Sequence, residues 1–62
     1  MGIETRVAQK EKLYSLLAIK KAFELANMEM HPEVSRQIRQ AKAAMVEEDI
    51  SHVEKQVESI ND

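Results

Sequence analysis

Apolar side chains recur at helical spacing along nearly the whole chain, in stripes that do not share one line. From Glu4 to Met30 the sequence is rich in Ala, Leu, Lys and Glu, all strong helix formers, and this segment predicts helix 1. Pro32 ends it, because the residue before a proline is pushed out of the α region. Pro32 also suits the first turn of a second helix, where its missing N–H costs nothing. Glu33 there complements the positive end of the helix dipole. Val34, Ile38, Ala41 and Met45 follow at spacings of four, three and four, predicting helix 2 from Pro32 to about Glu47. A second stripe, Val46, Ile50, Val53, Val57 and Ile60, lies about 110° around the axis from the first. Supercoiling does not absorb so large an offset. Either the helix continues and contacts two different surfaces, or it breaks near the acidic run Glu47-Glu48-Asp49; the break is the favoured reading. Asp49 reads as an N-cap and Ser51 with Glu54 as a capping box, which places helix 3 at about Ile50 to Ile60. The expected fold class is all-α: a helical hairpin or small three-helix bundle, with residues 1–62 as a single helical domain.

Helix 1 carries the most information. With Leu13 at zero on a helical wheel, Lys20, Glu24 and Asn27 fall within about 40° and read as a narrow polar strip. Leu16, Ile19, Phe23 and Met30 form one large apolar flank; Tyr14, Leu17, Leu25 and Met28 form the other. Opposite the strip, Ala18, Ala22 and Ala26 make a flat ridge that lets another helix approach closely. This apolar arc is far wider than the ~100° a surface helix needs. The narrow stripes of helices 2 and 3 look too small to cover it. One solution is a three-helix bundle with helix 1 wrapped all round. The favoured one is a homodimer in which helix 1 supplies the interface, through Tyr14, Leu16, Leu17, Ala18, Ala22, Phe23, Leu25, Ala26 and Met28.

Length supports the second solution. A chain of 62 residues is marginal as an isolated fold, and small domains commonly rely on disulfides, metals or self-association. There is no Cys, so disulfides are excluded and a reducing, cytoplasmic location is expected. Two His and no thiolate make a structural zinc site a poor fit. No apolar run approaches the ~18 residues of a membrane span. The opening Met1–Arg6 has neither a signal peptide's apolar stretch nor the myristoylation pattern.

Candidate chemistry is sparse. His52 follows Glu48 by four residues, but no metalloprotease-like spacing accompanies them, and His31 precedes Pro32 at a helix end. Ser15, Ser35, Ser51 and Ser59 have no paired His at useful spacing. One Gly cannot build a phosphate-cradling loop. No catalytic residue, cofactor or metal is therefore expected. Arg36, Gln37, Arg39, Gln40 and Lys42 form the one face able to read a DNA groove. Nine basic residues against 11 acidic ones argue against nucleic acid. The acidic C-terminal third, Glu47 to Asp62, offers a negative surface to a basic partner or simply a solvated face. The functional expectation is a small non-enzymatic regulator that binds another protein, as an inhibitor, adaptor or anti-repressor-like factor. Tyr14, Leu17, Phe23, Leu25 and Met28 would be its anchors. The alternatives are a small dimeric DNA-binding protein using helix 2, or a structural subunit of a larger assembly.

Overall fold

The computed structural model describes residues 2–61, with Asn61 by its backbone alone. Among them the chain forms three α-helices and no strand: α1 (Ile3–Leu25), α2 (Pro32–Ala43) and α3 (Glu47–Glu58), then a 3₁₀ turn over Ser59–Asn61. No helix among the described residues is long and apolar enough to cross a membrane.

Helix α1 stops five residues before Met30, where the sequence pattern had placed its end. The cause is Asn27, which adopts a left-handed φ of 59°. The Asn27 N–H donates to the Glu24 carbonyl (3.1 Å) and the Met28 N–H to the Phe23 carbonyl (2.9 Å). These are the two bonds of a Schellman cap, which satisfies carbonyls that the helix end leaves unpaired. Asn is one of the few non-glycine residues that tolerate this backbone region. The chain then runs without regular structure to His31, whose Nδ1 accepts from the Glu33 N–H (3.1 Å) and caps α2. Pro32 occupies the first helical position, as its missing donor predicts.

The break between the second and third helices exists, but earlier than expected. Helix α2 ends at Ala43, and Val46, with extended backbone, precedes α3. Asp49 is therefore not an N-cap, and Ser51 and Glu54 lie mid-helix rather than in a capping box. Three acidic residues in the first turn, Glu47, Glu48 and Asp49, complement the helix dipole where no side-chain cap is present. A turn over residues 44–46 lets the two apolar stripes meet one core despite their offset.

Polar cross-links fix how the helices run. Near the start of α1, Gln9 Nε2 donates to the Ala44 carbonyl at the end of α2 (3.2 Å), so α2 is antiparallel to α1. Arg6 pairs with Asp49 at the start of α3 (2.9 Å), while Lys21 Nζ donates to the Val57 and Glu58 carbonyls at its end (3.0 and 2.8 Å). Helix α3 therefore runs parallel to α1. Both α2 and α3 pack on α1 more closely than on each other.

The core comprises Leu13, Leu16 and Leu17 of α1, Ile38 of α2, and Val53 and Val57 of α3. Met30, Val34, Ala41, Met45 and Ile50 pack around its edge. Leu13 is wholly enclosed, at 0% exposure. The line that the wheel had assigned to a polar strip is thus the buried line. Lys20 and Glu24 share it only beyond the core, where they pair with each other at 3.9 Å. With Leu17, Lys21, Glu54, Val57 and Glu58 they line an open cleft of about 240 Å³.

Candidate interaction surface

The molecule measures 38 × 27 × 16 Å. Two helix layers at ~10 Å separation, each adding a ~2.3 Å backbone radius, are about 15 Å thick. The short dimension is therefore two layers, α1 in one and α2 with α3 in the other. A central α1 wrapped on all sides does not occur. Burying the Leu13 line turns the opposite side of α1 outward, and nothing else in the described chain lies over it.

That outward side holds most of the residues the sequence had nominated. Ala22, Leu25 and Ala26 are exposed there, Leu25 to 61%, whereas Met28, exposed to 59%, lies past the Asn27 cap and outside α1. Tyr14 is exposed, Ala18 and Phe23 half-buried. Ile19, which the wheel placed on a flank, joins them at the surface. Leu16 and Leu17 are the exceptions. Both are buried in the chain's own core, with Leu17 also reaching the edge of the open cleft between α1 and α3.

The surface is graded along α1. Towards the N-terminus its centre carries Glu4 and Glu11, both exposed. From Tyr14 to Ala26 the outer arc contains only Tyr, Ser, Ala, Ile and Leu. Charged residues in that stretch point elsewhere: Lys20 pairs with Glu24, and Lys21 is held by the last carbonyls of α3. The outcome is an uncharged strip along the back of a two-layer slab.

The basic residues of α2 have a different fate. Arg36 makes a two-pronged ion pair with Glu33, and Gln37 Nε2 also donates to Glu33 (3.1 Å). Those hydrogen bonds, Arg36's first, hold the Glu33 carboxyl below its usual range. Lys42 pairs with Glu54 across to α3 (3.3 Å). Arg39 and Gln40 are exposed. Three of the five proposed groove-reading side chains are thus engaged within the chain.

On α3, Glu47, Glu48, Ser51, His52 and Lys55 line an open surface rather than a pocket enclosed by other elements. Glu54 is taken by Lys42 and Asp49 by Arg6, so the acidic third is partly neutralised. Asp62 lies outside the described residues. Among the described residues no three His, Cys, Asp or Glu side chains gather as a metal-holding group.

Sequence reasoning missed the Arg6–Asp49 pair. Arg6 Nε and Nη2 donate to the two carboxylate oxygens at 3.1 and 2.9 Å, across 43 positions of sequence. Those hydrogen bonds hold the Asp49 carboxyl below its ordinary value despite burial, and raise the Arg6 guanidinium. A charge-assisted, bidentate link of this kind has no short-range sequence signal. No protein family, curated protein or solved structure gives a match to this chain.

Proposed function

We propose that this chain is a small non-enzymatic regulatory protein that acts by binding another protein through the outer face of α1. The supporting observation is the one-sided burial of α1. Its Leu13 line is spent on the internal core, while Tyr14, Ile19, Ala22 and Leu25 are left facing water on the opposite side. Contiguous exposed apolar surface of this kind marks interaction sites in soluble proteins. A helix face with large anchors at its flanks and a shallow centre fits the helix-in-groove mode of recognition. Tyr and Leu supply buried area. Inhibition, adaptation or displacement of a larger partner are all served by such a contact.

The test is comparative capture from the native host. The wild-type chain and an Arg39→Glu control on α2 are expected to retain the same protein, and Leu25→Glu on the outer face to lose it. Equal retention by all three removes the outer face of α1 from the account. A partner lost only with Arg39→Glu, and released steeply by salt, supports the nucleic-acid alternative instead.

A further inference from the structure

We infer that the first occupant of the outer face of α1 is a second copy of this chain, crossing antiparallel about a two-fold axis near Ala22. The inference rests on the proposed reading of that face and names its partner.

Three observations lead there. The first is area. The protein exposes 4706 Å². Compact monomers of 7.1 kDa expose about 4,100 Å² by the mass scaling, so roughly 600 Å² is in excess. A standard interface removes about 800 Å² from each partner. The surplus is thus of the order that one such contact covers, and of the three helices α1 is the one whose uncovered side runs without charge from Tyr14 to Ala26.

The second is composition. Between Tyr14 and Ala26 the outer arc has no charge for a foreign partner's charge to recognise. Homodimer interfaces are more apolar than transient ones. A two-fold contact also needs only one patch that complements itself. Here large flanking side chains, Tyr14 and Leu25 on one side and Ile19 on the other, border the low centre at Ala18 and Ala22.

The third is the placement of the acids, which sets the direction. Parallel pairing would lay Glu4 and Glu11 against their own copies at helix-contact distance, a like-charge arrangement that disfavours association. Antiparallel crossing at Ala22 places Glu11 11 residues from the axis. At ~1.5 Å per residue the two copies of Glu11 then stand about 30 Å apart, well beyond the ~8 Å screening length. Opposed helix dipoles favour the same direction.

Sedimentation equilibrium on the wild-type chain, across a concentration series, is expected to give twice 7.1 kDa. Ala22→Glu puts two like charges at the axis and is expected to weaken association about a hundredfold. Position 22 faces water in each copy, so helical content should stay. The native chain has no Cys, so a single introduced thiol reports position without interference. Under mild oxidation Ala22→Cys is expected to crosslink to itself about tenfold faster than Glu11→Cys, because only position 22 comes within the ~7 Å a disulfide spans. This near-isosteric change carries the test even where Ala22→Glu fails to fold. A mass of 7.1 kDa at every concentration up to about 1 mM overturns the inference, as does crosslinking at position 11 as fast as at 22. A monomer that still loses its host partner on Leu25→Glu removes the second copy alone and leaves the broader reading of this face standing. A monomer indifferent to Leu25→Glu removes both.

Discussion

Among the described residues Asp49 is the buried acid, and its carboxylate is held by the Arg6 guanidinium. The folded-state carboxyl lies below its reference value of 3.8, chiefly through the Arg6 hydrogen bonds. Its contribution to stability is therefore fully present above about pH 4 and is lost as pH falls through the depressed folded value. Asp49→Asn is expected to lower the melting temperature at pH 7, and the gap to wild type should close as pH falls below 3.8. A gap independent of pH would assign Asp49 a packing role instead. His31 is a second residue whose role is local. Its Nδ1 caps α2, so His31→Ala is expected to cost about 1 kcal/mol in denaturant unfolding, and His31→Asp to keep the cap. Which leucines matter was only partly legible. On the wheel Leu13 shares its line with Lys20, Glu24 and Asn27, so averaging over the helix hides that the core covers only the first part of that line. Leu13→Ala is therefore expected to cost about 2–5 kcal/mol, and half-buried Phe23→Ala clearly less.

The elements themselves were easier to read than their ends. Pro32 announced the start of α2 because its chemistry admits few positions, and the change of stripe phase announced a break before α3. The ends failed for physical reasons. Asn27 looked like one more helical position, since apolar residues continue to Met30, yet its left-handed backbone closes α1. Asn27→Ala is expected to destabilise the protein by about 1 kcal/mol, while Asn27→Gly should be neutral or stabilising. Equal effects of the two would mean that the cap does not depend on backbone conformation. The acidic run at 47–49 looked like a capping signal because Asp favours that role. In the structure the same charges fill the first three helical positions after Val46, where the dipole rewards them and Arg6 claims the third. Lys21 on the last carbonyls of α3 is the corresponding device at the opposite end.

At the scale of the whole molecule, two layers are enough to enclose one line of α1 and not its reverse. The width of the apolar arc was visible in the sequence, and so was the shortage of material to cover it. Which side would be covered was not, because that depends on long-range links such as Arg6–Asp49 and Gln9–Ala44. A fold this small gains stability from whatever binds its native state. Its melting temperature should accordingly rise with protein concentration, and Ala22→Glu should abolish that rise.

Solvent paramagnetic relaxation, read at side-chain methyls by NMR, addresses the one-sided burial itself. The methyls of Leu13 and Val53 are expected to be shielded at every concentration. Those of Ile19 and Leu25 should be strongly relaxed in dilute protein and become protected as concentration rises. Outer methyls already shielded at the lowest concentration of monomer would mean that the chain wraps α1 itself, and outer methyls that stay relaxed throughout would mean that nothing of its own kind covers them.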